Sequence, residues 1–284
     1  MKSFKDKIVL ITGAASGICL SLSTRLIDLG ATVISADIKN SKHGELSTSQ
    51  QLSKVHLDVT KEHHFKSLIL DVVSTYGRLD ILINGAGYNV RGEALDLAKL
   101  DSSLDDFDMS LWNRIFSVNY FGAAQGSLLA FAQMRKQGSG QIINIASLAG
   151  LTSYSTNAPY GAAKAAIINH TAALRAEACD YGVDVKVICP GYIDTNFLNS
   201  KTMYNGKLCD LKEELVFKPV DVDRTAGMII KKLQGNASLI NVPRYPRLTW
   251  LYAFNWITRL LLDPMQKQVI RKFRSSPISS MLPN

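Results

Sequence analysis

Residues 7–19 read Lys-Ile-Val-Leu-Ile-Thr-Gly-Ala-Ala-Ser-Gly-Ile-Cys, an apolar run that leads into a glycine-rich turn and a helical pattern. Glycine lets a backbone turn sharply and approach a ligand closely. The free N–H groups at the start of the helix then face an anion such as pyrophosphate. We therefore expect Gly13, Ser16, Gly17 and Ile18 to bind a phosphate-bearing cofactor, although a turn without a ligand has the same pattern.

Similar apolar runs recur along the chain and alternate with helical patterns. Strands are predicted at 7–12, 32–37, 54–58, 80–84, 141–146, 184–189 and 237–242, and helices at 17–29, 62–76, 110–135 and 158–181, with a last helix capped by Asp221. Continuous apolar runs are typical of parallel strands that are covered on both faces. The order predicts an α/β protein with a single-domain, Rossmann-type, doubly wound parallel sheet over residues 1–243. An extension follows at 244–284.

The net charge of +8 is concentrated at the C-terminal end. Residues 244–284 hold seven Lys or Arg and one Asp, so +6 of the charge lies there and +2 in the rest. A nearly neutral body argues against nucleic-acid binding. The four cysteines lack CxxC spacing, which argues against a metal site or a disulfide framework. Because the first strand starts almost at once and no secretory signal precedes it, we expect a cytoplasmic protein.

The ends of the second, third and fourth strands carry further candidate cofactor ligands. A carboxylate at Asp37 can accept hydrogen bonds from both hydroxyls of an adenosine ribose and repels a 2′-phosphate. Since Ser16 and Ile38 supply no cation for such a phosphate, we expect NAD rather than NADP, although Asp37 also fits a solvated strand end. The next two strand ends add Asp58, Val59, Asn84, Ala86 and Gly87, each of which also fits an ordinary loop.

Tyr160 and Lys164 stand four residues apart in a predicted helix and therefore share one face. A lysine ammonium beside a phenol favours the phenolate, so we expect Lys164 to lower the pKa of Tyr160. Such a phenol can donate a proton to an alcohol oxygen or accept one from it. The same spacing also occurs on ordinary helices, so the pair alone does not identify an enzyme.

Taken together, the motifs closely resemble those of the short-chain dehydrogenase/reductase family over roughly residues 7–243. The matching segments are the glycine motif Thr12–Cys19, the NNAG motif Asn84–Gly87, Asn119, Ser147, the YxxxK pair Tyr160–Lys164 and the PG…T segment Pro190–Thr195. The resemblance implies an oxidoreductase that moves a hydride between NAD(H) and a secondary alcohol or ketone. A dimer or tetramer is also implied.

The resemblance assigns a role to each matching residue. Tyr160 would be the acid/base, Ser147 would hold the substrate oxygen, and Lys164 would also bind the nicotinamide ribose. Asn119 would hold a water that links Lys164 to solvent, while Ile193 and Thr195 would hold the carboxamide. Taken singly, Ser147 also fits a cap, Asn119 a buried hydrogen-bonding residue and Thr195 a turn.

Two positions depart from the family pattern. Cys19 replaces the third glycine of the first motif, and Gly85 replaces the second asparagine of NNAG. We expect Cys19 to be a small packed side chain, or else a redox-sensitive thiol whose pKa is lowered by the helix start. Gly85 removes a side-chain hydrogen bond without removing the chemistry.

The extension contains the apolar stretch 248–262, Leu-Thr-Trp-Leu-Tyr-Ala-Phe-Asn-Trp-Ile-Thr-Arg-Leu-Leu-Leu. It is shorter than the roughly 20 residues that cross a bilayer. Its aromatic residues and flanking cations suit a membrane surface, but contact with the body, a partner subunit or the substrate opening is the interpretation that we favour. Some family members with such extensions act on steroids, retinoids or other lipids, so we expect an apolar substrate. The alternative is a catalytically inactive NAD-sensing or scaffold protein.

Overall fold

The computed structural model describes residues 3–40, 46, 50–99, 104–152, 154–199, 202–204, 207–209 and 218–243. Seven strands form one parallel sheet: β1 (Ile8–Thr12), β2 (Thr32–Asp37), β3 (Leu52–His56), β4 (Ile81–Asn84), β5 (Gly140–Ile145), β6 (Val183–Pro190) and β9 (Leu239–Val242). Their order across the sheet is β3-β2-β1-β4-β5-β6-β9. The predicted doubly wound sheet is confirmed.

Helices cover both faces of this sheet. They are α1 (Gly17–Asp28), α2 (Glu62–Tyr76), α3 (Ser110–Phe116), α4 (Gly122–Gln137), α5 (Ala158–Ala178) and α6 (Val222–Leu233). On one face, residues of α2, α4 and α5 pack with Leu10, Ile34 and Leu82. On the other face, α1 and α6 pack against Val9 and Val33. Successive strand residues thus point into two separate cores, as buried parallel strands require.

Three elements differ from the sequence prediction. Strand β3 spans Leu52–His56, two residues earlier than the predicted 54–58, and it alternates exposed and buried residues as an edge strand does. The long helix predicted at 110–135 is interrupted by a π-helical turn, Ser117–Phe121, between α3 and α4. A short antiparallel hairpin, β7 (Thr202–Tyr204) and β8 (Lys207–Cys209), lies between β6 and α6, where the sequence analysis predicts no strand or helix.

The predicted cap of the last helix is confirmed, because the Asp221 side chain accepts a hydrogen bond of 2.7 Å from Arg224 N. The extension at 244–284, with the membrane and subunit contacts expected of it, lies outside the described residues. Within the described part of the chain, no helix is both long enough and apolar enough to cross a membrane.

Candidate active site

A cleft of about 610 Å³ opens at the carboxyl ends of the parallel strands. From β1 the strand order runs to β2 and β3 on one side and to β4, β5 and β6 on the other. The cleft lies at this switch point, where doubly wound sheets bind ligands. The predicted residues that line it are Gly13, Ser16, Gly17, Ile18, Asp37, Asp58, Val59, Ala86, Gly87, Ser147, Tyr160, Lys164, Ile193 and Thr195. The fold therefore brings most of the sequence candidates to one place.

The glycine-rich turn between β1 and α1 is held tightly against the loop after β4. Gly13 has φ +71°, and a Cβ there would lie 2.8 Å from the Ala86 backbone, so only glycine fits. Thr12 Oγ1 accepts hydrogen bonds from Gly85 N at 3.0 Å and Ala86 N at 3.2 Å. The backbone at this point is thereby fixed beside the start of α1.

Asp37 ends β2 at the far side of the cleft and is only 8% exposed. Its two carboxylate oxygens accept hydrogen bonds from Ala15 N at 3.0 Å and Lys39 N at 2.9 Å. These bonds connect Asp37 directly to the glycine-rich turn and fix its orientation. The sequence argument considered Ser16 and Ile38 but missed Lys39, an exposed cation that also lines the cleft.

Asp58 and Val59 follow β3 and are positioned by α4. A Cβ on Gly122 would lie 2.8 Å from Val59 Cγ2, so this helix packs directly on the loop. Burial opposes ionisation of Asp58, but hydrogen bonds from Thr60 outweigh it and hold the pKa of Asp58 below its ordinary value.

Asn84 does not line the cleft, unlike the other predicted cofactor residues. Its side chain is buried, and its Nδ2 donates to Asn144 Oδ1 at 2.8 Å and to Ser127 Oγ at 3.1 Å. The side chain therefore joins the two central strands to α4. Its role is to hold the strand end from which Ala86 and Gly87 reach the cleft.

Tyr160 lies in the first turn of α5, and its ring is tilted by 47° to that of Phe197, with 5.5 Å between the two centroids. Ser147 follows β5, and its Oγ accepts a hydrogen bond from Ala149 N at 3.2 Å, so the cap interpretation and the cleft position both hold. Burial raises the pKa of the Tyr160 phenol to about 12, while a hydrogen bond with Ser147 acts in the opposite direction.

Lys164 lies one turn further along α5 and is 4% exposed. Its Nζ donates to Ile145 O at 2.9 Å and lies 5.7 Å from the centre of the Tyr160 ring. Burial lowers the pKa of this ammonium to about 8. The expectation of a lowered pKa for Tyr160 is therefore wrong, because burial of the phenol dominates and raises it.

Asn119 lies in the π-helical turn and is buried behind the cleft wall. Its Nδ2 donates to Tyr88 O at 2.6 Å and to Ile115 O at 2.9 Å, while its Oδ1 accepts from Tyr88 N at 3.3 Å. These bonds fit the alternative interpretation of Asn119 given by the sequence, a buried residue that forms hydrogen bonds within the fold. Asn119 thus fixes the loop after β4, directly behind Gly87, and π-helical turns often mark functional sites.

The segment after β6 closes the nicotinamide side of the predicted site. Ile193 is buried and forms a bridge with Val220, and Asp194 N donates to Val220 O at 2.9 Å. Thr195 Cγ2 lies 3.4 Å from the position of a Cβ on Gly17. The segment therefore reaches the start of α1 and brings Thr195 to the glycine-rich turn.

Several cleft residues were missed by the sequence analysis. Tyr154 and Tyr192 both line the cleft, and their hydroxyls are hydrogen-bonded to each other. Asn89 Nδ2 donates to Asn157 Oδ1 at 2.9 Å and so links the loop after β4 to the start of α5. Only Tyr192 carried a sequence signal, since it directly follows Pro190-Gly191. The others lie in loops whose pairing depends on the whole fold.

Cys19 is a packed side chain in the core below the cleft. Burial raises the pKa of its thiol to about 12, even though the charge of Lys164 acts in the opposite direction. The alternative of a thiol made acidic by the helix start is therefore wrong, since a thiol with this pKa stays protonated at neutral pH.

Comparison with known proteins places this geometry in a family. The family profile described as short chain dehydrogenase matches residues 7–205. A 7alpha-hydroxysteroid dehydrogenase of Bacteroides fragilis is 32% identical over 200 residues, which are 69% of this chain and 74% of that protein.

Two solved structures have the same fold. A short-chain dehydrogenase/reductase from Burkholderia phymatum in complex with NAD has a TM-score of 0.72 and 20% identity, covering 93% of this chain and 97% of that one. A short chain dehydrogenase from Burkholderia cenocepacia in complex with NADP has a TM-score of 0.67 and 19% identity, covering 96% and 95%. On the match of profile, relative and motifs, the chain belongs to the short-chain dehydrogenase family of oxidoreductases.

Proposed function

We propose that this protein is an NAD-dependent alcohol dehydrogenase or ketone reductase that acts on a largely apolar secondary alcohol or ketone. The observation that carries the proposal is that Tyr160, Ser147 and Lys164 line the same cleft as the glycine-rich turn and Asp37. A nicotinamide cofactor would supply or accept the hydride. The residues of this chain would hold the cofactor, orient the substrate and move the proton.

The cleft has the donors and the close backbone that a dinucleotide requires. The helix start at Gly17 offers free N–H groups for the pyrophosphate, and the tight turn at Gly13 leaves no side chain in the way. Asp37 suits the adenosine ribose. At the other end, Thr195 and Ile193 would hold the carboxamide and Lys164 the nicotinamide ribose.

The choice of NAD over NADP rests on Asp37, whose carboxylate repels a 2′-phosphate. Lys39 acts against that choice, because its cation lines the cleft only two residues further along the chain. Structural neighbours in complex with NAD and with NADP each share the fold. We favour NAD because Asp37 is fixed by two backbone N–H groups, whereas Lys39 is exposed and its charge is screened by solvent.

Tyr160 would exchange the proton with the substrate oxygen, which Ser147 would hold by a hydrogen bond. With a pKa of about 12, the phenol is protonated at neutral pH, which is the form that donates to a ketone oxygen. Lys164, with a pKa of about 8, titrates near the pH at which a proton relay works best.

The walls around Tyr160 support an apolar substrate. Phe197 packs on the Tyr160 ring, and Tyr154 and Tyr192 line the same cleft as an edge-to-face pair. Aromatic walls with a few polar groups are typical of sites for apolar ligands. The name of the Bacteroides relative, a hydroxysteroid dehydrogenase, favours a ring-shaped lipid alcohol as the first class to test.

The test is a screen of secondary alcohols and ketones, including hydroxysteroids, with NAD(H) and NADP(H), followed by the absorbance of the reduced nicotinamide. Turnover with NAD(H) that Tyr160→Phe abolishes would support the proposal. Tight NADH binding without turnover of any substrate would instead favour the inactive NAD-sensing or scaffold protein. Failure to bind either dinucleotide would exclude both functions.

A further inference from the structure

Cys19 and Gly85 meet at the floor of the cleft, where α1 faces the loop after β4. A Cβ built on Gly85 would lie 2.0 Å from Cys19 Sγ, 3.0 Å from Thr12 O and 3.5 Å from Ile145 Cγ1. Carbon and sulfur cannot approach to 2.0 Å without a bond. The sulfur of Cys19 therefore occupies the space that any side chain at position 85 would need.

The contact lies within the wall of the cofactor site. Both residues line the cleft, and the Gly85 N–H is held by Thr12 Oγ1 at 3.0 Å. The backbone of the next residue, Ala86, lies so close to Gly13 that Gly13 cannot carry a Cβ. The glycine-rich turn and the loop after β4 thus form one packed unit, and Cys19 fills the gap between them from the side of α1.

The role of this thiol is to fill space. It is 4% exposed and belongs to the core cluster that contains Leu22 and Ile83. The two departures of this chain from its family's motifs, a cysteine for a glycine and a glycine for an asparagine, fall on the two sides of this one contact. Of the three nearest neighbours of a Cβ at position 85, only the Cys19 sulfur is closer than 3.0 Å, so the cysteine is the main obstacle to a side chain there.

We propose that Cys19 is a positioning residue of the cofactor site, whose sulfur replaces a side chain at position 85 as the spacer between the glycine-rich turn and the loop after β4. The inference rests on the proposed dinucleotide function. It requires that positions 19 and 85 be coupled, so that a change at either one is harmful and the paired change restores the site.

The experiment compares Cys19→Gly, Gly85→Asn and the double variant. The NADH dissociation constant is measured by fluorescence titration, and the free energy of unfolding by urea without cofactor. We expect each single change to weaken NADH binding about tenfold or more, which corresponds to about 1.4 kcal/mol. The double variant should bind within about threefold of wild type, a non-additivity expected for residues in contact.

Two further variants keep the test decisive. If Gly85→Asn does not fold, Gly85→Ala adds only the Cβ that lies 2.0 Å from the sulfur and is compared with Cys19→Gly/Gly85→Ala. Cys189→Ala is the matched control, because Cys189 is another buried thiol beside Lys164 but does not line the cleft. It should lower stability and leave the NADH dissociation constant unchanged.

Additive single changes, with a double variant weaker than either, would overturn the proposal. So would a Cys19→Gly variant that unfolds more easily yet binds NADH like wild type, since Cys19 would then be a core residue only. Absence of binding by wild type to both NADH and NADPH would remove the proposed function and this role with it. If wild type binds NADH but the effects of the two single changes on binding simply add in the double variant, the positioning role of Cys19 is excluded and the proposed function stands.

Discussion

Replacement of Lys164 by methionine should make the protein more stable at neutral pH while it removes the proposed proton relay. Burial lowers the pKa of Lys164 from 10.5 to about 8, so the folded state disfavours the charged ammonium by about 3 kcal/mol. Methionine fills similar volume without a charge, but leaves Ile145 O without its 2.9 Å hydrogen bond, which costs about 1 kcal/mol. The expected net gain at pH 7 is about 2 kcal/mol.

This gain should depend on pH with a definite sign. Between the folded pKa of about 8 and the ordinary value of 10.5, the unfolded chain keeps the Lys164 proton that the folded protein has lost. The contribution of Lys164 to the stability of the wild type therefore rises with pH in this window, by about 2 kcal/mol at pH 9.5. The Lys164→Met variant lacks this rise, so its advantage should fall close to zero. Burial also raises the pKa values of Cys19, Cys189 and Tyr160, which lowers stability at high pH, but it does so in both proteins and leaves the difference between them to Lys164.

The assay is urea unfolding of both proteins at pH 7 and pH 9.5. Lys186→Met is the matched control, because Lys186 is 1% exposed but has Asp184 Oδ2 at 2.9 Å and Gly235 O at 2.7 Å as partners. Its removal should destabilise by about 1–3 kcal/mol at pH 7. The reasoning fails if Lys164→Met destabilises like this control, or if its advantage is the same at both pH values.

Two further outcomes are expected from the geometry. Asp37→Ala should shift the ratio of NADPH to NADH affinity towards NADPH by about tenfold or more, and Lys39→Ala should shift it towards NADH. Titration of each variant with both cofactors checks this. An unchanged ratio in Asp37→Ala would show that Asp37 does not select between NAD and NADP. Gly126→Ala should destabilise by about 1–3 kcal/mol, because its Cβ would lie 2.5 Å from the Phe65 ring. A Cβ on Gly227 would lie 3.4 Å from the flexible Arg25 side chain, so Gly227→Ala should be neutral or slightly stabilising. Urea unfolding of both variants checks this, and equal losses of stability would contradict the packing argument.

The sheet and its ligand edge were predictable because their signals are local. Continuous apolar runs marked the strands, and a capping carboxylate at Asp221 marked the start of α6. Right-handed crossovers then brought the strand ends to one edge. The seven strands of the sheet followed from these rules without any knowledge of contacts between distant residues.

The finer geometry of the site was not predictable, because it depends on packing between segments far apart in sequence. Helical spacing placed Lys164 beside Tyr160 correctly. It could not reveal that Lys164 Nζ donates a hydrogen bond to Ile145 O, or that burial raises the pKa of the Tyr160 phenol. The contact of Cys19 with Gly85 joins residues that the sequence analysis treated as separate departures.

The most direct test of the central claim is the turnover number of Tyr160→Phe at saturating NADH and saturating ketone, measured beside its NADH dissociation constant. Phenylalanine keeps the ring against Phe197 and removes only the hydroxyl. If Tyr160 donates the proton to the substrate oxygen, turnover should fall by at least about 100-fold while the dissociation constant stays within about threefold of wild type. Turnover within about tenfold of wild type, with NADH bound equally well, would show that another group moves the proton.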